Sequence, residues 1–139
     1  MGSGARYYRS GSAGSRLHPD DPDLSLIRSA RVLHITGITL ALSDSAREAV
    51  RVVLAEARDA GVLVSMDVNH RHTLWSRDEA STMLRETLPS VDVLFATEEE
   101  ARLVVDEHDP VDLTEAPVRC AAVCLAGMWR ARARTASGA

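Results

Sequence analysis

A chain of 139 residues, 45% hydrophobic and 26% charged, is long enough for one domain with a packed core and too short for two. Its formal net charge of −4 gives no long-range pull toward nucleic acid or an anionic membrane, and no apolar run approaches the ~20 residues that span a bilayer. All 16 basic residues are Arg and none is Lys, which excludes a Schiff-base lysine and a P-loop GxxxxGK[ST].

Residues 1–16 read as an extended or hairpin segment. Arg6-Tyr7-Tyr8-Arg9 is followed by the turn-prone Gly11-Ser12-Ala13-Gly14, and the stretch lacks the apolar core of a secretory signal, so a cytoplasmic protein is expected. Residues 17–116 carry the regular elements. Val32-Leu33-His34-Ile35 reads as a buried strand ending at Thr36-Gly37. From Ser43 or Ser45 to Ala60 the apolar residues Ala46, Ala49, Val50, Val53, Leu54 and Ala57 recur at the spacing of a helix with one buried face. Ser45 with Glu48 predicts a capping box, and Gly61 a C-terminal stop. Val62 to Met66 is the next strand.

Ser76 with Glu79 predicts a second capping box, with Trp75 stapled against Ala80. Ala80, Met83, Leu84 and Leu88 would line the inner face of that helix, and Pro89 would end it. Val91 to Phe95 is a third strand, after which Thr97-Glu98-Glu99-Glu100 opens another helix with its acids at the positive end. Alternating strands and helices imply an α/β fold: a parallel sheet with right-handed crossovers. Residues 117–139 read as an irregular, disordered tail. No acid follows Glu115, a shift abrupt enough to suggest out-of-frame translation of a GC-rich gene. Cys120 and Cys124 form neither a disulfide framework nor a four-ligand zinc site.

Ligands of open α/β sheets bind beyond the carboxyl ends of the strands. Three polar clusters fall there: Gly37-Ile38-Thr39, Asp67-Val68-Asn69-His70-Arg71, and Thr97 to Glu100. Asp67 and Asn69 suit Asx turns between a strand and a helix. They equally suit a site in which Asn69 supplies directed hydrogen bonds and Arg71 a planar cation for carboxylate or phosphate. His70 and His72 are too few for a zinc site. Thr97 and Glu100 are accounted for by a capping box, and Tyr7 and Arg9 share a face if their segment is extended. The residues by themselves support an α/β domain with a small-anion site at its strand ends, and name no reaction.

In these positions the chain resembles the ribokinase-like (PfkB-type) carbohydrate kinases, and within them the 2-keto-3-deoxygluconate kinases. The resemblance rests on Tyr7-Tyr8-Arg9, on His34-Ile35-Thr36-Gly37-Ile38-Thr39-Leu40-Ala41-Leu42-Ser43, on Asp67-Val68-Asn69-His70-Arg71-His72-Thr73-Leu74-Trp75 and on Glu98-Glu99-Glu100-Ala101. It implies a partial ribokinase-like fold, a three-layer Rossmann-like sheet with flanking helices. It also implies phosphoryl transfer from ATP, with Mg²⁺, to a sugar acid. By the same resemblance Tyr7, Arg9, Ile38 and Arg71 would contact the sugar acid. Asn69, Arg71 and Thr97 would meet the nucleotide, and Glu100 would organise Mg²⁺ through water. A homo-oligomer is compatible with this reading; nucleic-acid and membrane partners are not expected.

The family's C-terminal G-A-G-D motif, which holds the general base and an anion hole, has no counterpart here, and neither does its N-terminal glycine-rich segment. The nearest string, Leu125-Ala126-Gly127-Met128, has no acid. The chain therefore reads as an internal segment of a sugar kinase with no catalytic base of its own, expected to be inactive alone. The alternative is a non-catalytic α/β module that binds a small anion or a partner subunit.

Overall fold

The computed structural model describes residues 11–104. A 3-10 turn at Gly14–Arg16 precedes helix α1 (Leu24–Ser29), strand β1 (Val32–Thr36) and helices α2 (Gly37–Leu42) and α3 (Asp44–Ala60). Strand β2 (Leu63–Asp67), helix α4 (Arg77–Thr87), strand β3 (Val93–Phe95) and helix α5 (Glu98–Ala101) complete it. No helix among the described residues is long and apolar enough to cross a membrane.

The predicted long helix forms, but its cap differs. The side chain of Ser43, not Ser45, accepts the amide of Ala46 at 3.1 Å. The reason lies upstream. Gly37-Ile38-Thr39, read from sequence as a polar cluster after the strand, is the first half of α2, which Thr36 caps. Ser43 is the single extended residue between α2 and α3 and serves both as C-cap and as N-cap, so α3 must begin at Asp44. Ser45 is thereby drawn into the first turn, where its hydroxyl meets that of Ser43 at 3.1 Å. At the other end Gly61 adopts φ 70° and donates its amide back to Ala57 and Arg58, as expected of a left-handed cap.

Helix α4 carries the predicted capping box: Glu79 N donates to Ser76 Oγ at 3.2 Å, and Ser76 N to Glu79 Oε2 at 2.9 Å. The Ser76 backbone and hydroxyl donors hold the Glu79 carboxyl below its usual pKa. Ala80, Leu84 and Leu88 are buried, whereas Met83 is only partly so. The helix passes at Thr87 into a 3-10 turn, Leu88–Ser90, that contains Pro89.

Helix α1 was not anticipated. Asp23 caps it by accepting from Ser25 N and Leu26 N at 2.9 and 3.1 Å, and an ion pair of Arg28 with Glu56 ties it to α3.

The sheet is parallel, in the order β1-β2-β3. Val32 pairs with Leu63, His34 with Ser65 and Thr36 with Asp67; Ser65 then pairs with Val93 and Asp67 with Phe95. Because side chains alternate along a strand, this register sorts them by face. Ile35, Val64, Met66 and Leu94 turn into one core with Val50, Val53, Leu54 and Ala57 of α3 and Ala80 and Leu84 of α4. Each fully buried Val or Leu there contributes roughly 1.5–3 kcal/mol relative to exposure. On the opposite face Val32, Leu63 and Phe95 are exposed. Right-handed crossovers between successive strands place α3 and α4 on the same side. Among the described residues the sheet therefore has one helical layer and one open face.

Candidate functional site at the strand ends

All three strands point their carboxyl ends the same way, so the segments after Thr36, Asp67 and Phe95 lie side by side. Backbone contacts knit them together. After β1, Gly37 lies so close to Val68 that a Cβ on it would stand 2.0 Å from the Val68 carbonyl oxygen. After β2, Val68 is fully buried and its amide donates to Phe95 O at 2.9 Å. Asn69 then takes φ 42°, the single non-glycine residue with positive φ among those described. Asn tolerates this left-handed conformation better than most residues. Leu74 N returns to Arg71 O at 2.8 Å and closes the loop.

After β3, Thr97 and Glu100 form a capping box. Thr97 N and Thr97 Oγ1 donate to Glu100 Oε2 at 2.9 and 3.0 Å, and Glu100 N donates to Thr97 Oγ1 at 3.3 Å. The other carboxylate oxygen, Oε1, accepts the amide of His70 at 2.8 Å. That bond joins the β2 loop to the β3 turn, and sequence alone gave no sign of it. The His70 ring stacks on Trp75, centroids 6.4 Å apart. His70 Nε2 and Trp75 Nε1 are both buried without a hydrogen-bond partner among the described residues.

Two cavities meet at this turn. One of about 370 Å³ lies toward the open sheet face and is lined by His34, Asp67, Phe95, Ala96, Thr97 and Glu100. Within it His34 Nδ1 is 2.8 Å from Ser65 Oγ. The second, about 350 Å³, is bounded by His70, His72, Arg77, Glu99, Leu103 and again Thr97 and Glu100.

The residues singled out from sequence are thus brought partly together. Asn69 and Arg71, on the loop after β2, adjoin Thr97 and Glu100 at the start of α5, and Ile38 lies half-buried in the first turn of α2, its amide held by Thr36 Oγ1. Asn69, Arg71 and Ile38 line neither cavity. Arg71 is exposed, and its guanidinium makes no hydrogen bond or ion pair with the described residues. Tyr7 and Arg9 fall outside those residues, as do Cys120 and Cys124. The resemblance implies Mg²⁺ near Glu100, but that carboxylate already accepts three protein donors. Among the described residues no group of three or more His, Cys, Asp or Glu could hold a metal ion. These residues do not build a metal cage.

A parallel α/β sheet with polar loops and an exposed arginine at its strand ends is the architecture in which ligands bind beyond the carboxyl ends of the strands. The profile of the pfkB family carbohydrate kinases matches residues 5–123. The chain belongs to the pfkB family of carbohydrate kinases. It is 44% identical over 106 residues to the 2-dehydro-3-deoxygluconokinase of Thermoproteus tenax, covering 75% of this chain and 31% of that protein. It is 34% identical over 109 residues to probable fructokinase-3 of Arabidopsis thaliana, covering 78% and 31%. Among solved structures, the 2-dehydro-3-deoxygluconokinase of Thermotoga maritima superposes with a TM-score of 0.68 at 35% identity, over 71% of this chain and 30% of that one. The chain thus spans about a third of the length of the curated relatives it matches.

Proposed function

We propose that this chain forms the part of an ATP-dependent sugar-acid kinase that binds the acceptor and the transferring phosphate, the acceptor being 2-keto-3-deoxygluconate or a related sugar acid. The observation that carries this reading is Arg71: an exposed guanidinium with no partner among the described residues, on a loop whose backbone is fixed at Val68 and His70. A planar cation held this way suits a carboxylate or phosphate better than a neutral sugar. The 44% identity to a 2-dehydro-3-deoxygluconokinase supports the acid, and the 34% identity to a fructokinase marks the competing acceptor.

In this reading Asn69 and Arg71 meet the anionic groups of ATP and sugar acid, and Thr97 lies beside the phosphates. Ile38 packs against the sugar, and Tyr7 and Arg9 complete its contacts. Glu100, whose carboxylate oxygens already accept protein donors, would meet a nucleotide-borne Mg²⁺ only through water. Phosphoryl transfer also requires a base for the attacking hydroxyl and donors for the developing charge. With no G-A-G-D motif in the chain, it is expected to bind without turnover.

Calorimetry on the 139-residue chain tests the proposal, with 2-keto-3-deoxygluconate, ATP and fructose as separate titrants. Binding of the sugar acid and ATP but not fructose is expected, weakened about tenfold or more by Arg71→Ala, since hydrogen bonds to charged groups contribute about 1.5–3 kcal/mol. Fructose binding as well as the acid, or an Arg71→Ala chain that binds like the wild type, would overturn it.

A further inference from the structure

We infer that Glu100 is a positioning residue: its carboxylate fixes the Asp67-to-Arg71 loop through the His70 amide and so sets where Asn69 and Arg71 meet an anion, without a metal ion. The inference rests on the anion-binding reading above and deepens it.

Both oxygens of this carboxylate are committed to the protein. Oε2 takes the Thr97 amide and hydroxyl at 2.9 and 3.0 Å; Oε1 takes the His70 amide at 2.8 Å, from a residue thirty positions earlier in the chain. A carboxylate is an acceptor only, so it suits a point where three donors converge. Its own position is set from below, because Ala101, Leu103 and Val104 are buried in the core. The loop it holds needs holding. Asn69 is left-handed at φ 42°, a conformation that persists where the surroundings over-determine it. Val68 is fixed on one side of Asn69 by its amide bond to Phe95 O. On the other side the His70–Glu100 bond is what keeps the chain from relaxing. Arg71 follows directly, and its direction is set by that turn.

This role has a sign that separates it from the others. A negative charge beside an anion site repels the anion, so a purely electrostatic Glu100 predicts tighter anion binding when the charge is removed. A role only through Mg²⁺ predicts no effect in the absence of the metal. Positioning predicts weaker binding even without metal. Glu100→Gln keeps the size, removes the charge and turns an N–H toward donors.

The test is residue-resolved hydrogen exchange and ATP titration in EDTA, on the full wild-type chain and on Glu100→Gln. We expect the His70 amide to be protected in the wild type. In the variant it should exchange at least about tenfold faster while β2 and β3 amides keep their protection, and metal-free ATP affinity should fall about tenfold, or ~1.4 kcal/mol. A His70 amide that exchanges like an unstructured peptide in the wild type overturns the inference whatever the variant does. So does a variant that binds metal-free ATP equally or more tightly. If the wild type binds no ATP, the anion-binding reading fails, and the His70 exchange rates still decide whether Glu100 holds the loop.

Discussion

Replacing Gly37 by Ala sets two effects of opposite sign against each other. Gly37 is the first residue of α2, and Ala is the better helix former by at most about 1 kcal/mol. It also restricts the unfolded chain, which adds to stability when the native backbone accepts it. Propensity alone therefore predicts a more stable protein. The added Cβ, however, would stand 2.0 Å from the Val68 carbonyl oxygen and 3.1 Å from its carbon. The first distance is short of an ordinary 3.4 Å contact by about 1.4 Å. The obstacle is backbone in a fully buried residue, so no side chain can swing aside. Overpacking of this kind costs typically 1–3 kcal/mol and occasionally more, and here sits at the upper end. A net loss of about 2 kcal/mol follows, which lowers the urea midpoint by about 1 M for a slope of 1–3 kcal/mol/M. Urea unfolding followed by circular dichroism measures it directly. A Gly37→Ala chain as stable as the wild type would show that the segments after β1 and β2 do not approach this closely at Gly37 and Val68 and would remove the geometric basis of the strand-end site.

Met66 is fully buried at the centre of the sheet; Met66→Ala should lose about 2–5 kcal/mol, seen in the same unfolding assay. Ser76→Ala should cost α4 about 1 kcal/mol by removing its cap, with faster amide exchange confined to the first turn. The Ser76 donors depress the pKa of Glu79. The stability this contributes is therefore present above the ordinary carboxylate pKa and is lost as pH falls through the depressed value. An acid titration of helicity should show that loss in the wild type and not in Glu79→Gln. On the open sheet face Val32, Leu63 and Phe95 are 51, 42 and 36% exposed, an apolar surface of the kind that promotes association. Leu63→Thr should reduce self-association in analytical ultracentrifugation while lowering the unfolding midpoint less than Met66→Ala, since Leu63 is partly exposed and Met66 fully buried.

How much of this was legible in the sequence depended on whether the signal was local. The α3 stripe, the Gly61 stop and the Ser76–Glu79 box are written within one turn of the residues they govern, and they appear where the spacing put them. Helices α1 and α2 were invisible because each has only six residues, too few for a periodic pattern. Overlooking α2 then displaced the cap of α3 from Ser43 to Ser45. The Thr97–Glu100 capping box was read correctly as far as it went. Its second function was hidden because the His70 bond spans thirty residues and ends on a backbone amide, which carries no side-chain signature.

The spacing D-x-N-x-R acquires a physical meaning from these contacts. Asp67 closes the strand. Val68 turns into the core and gives its amide to β3, so the first intervening position is a buried anchor. Asn69 reverses the backbone at φ 42°. His70, the second intervening position, points its amide at Glu100, and Arg71 emerges exposed. Anchors at 68 and 70 thus alternate with the candidate side chains at 69 and 71, each freed because its neighbour is tied down. The same division holds across the strand ends: Gly37 against Val68 and Thr97 against Glu100 are contacts of structure, and they leave Asn69 and Arg71 without internal obligations. The main-chain bonds fix where Arg71 leaves the loop, so only its exposed side chain, and not the backbone, has freedom to lose when an anion binds. A backbone fixed on both sides of Asn69 is what the proposed anion site requires, because it sets the point from which the Arg71 side chain reaches out.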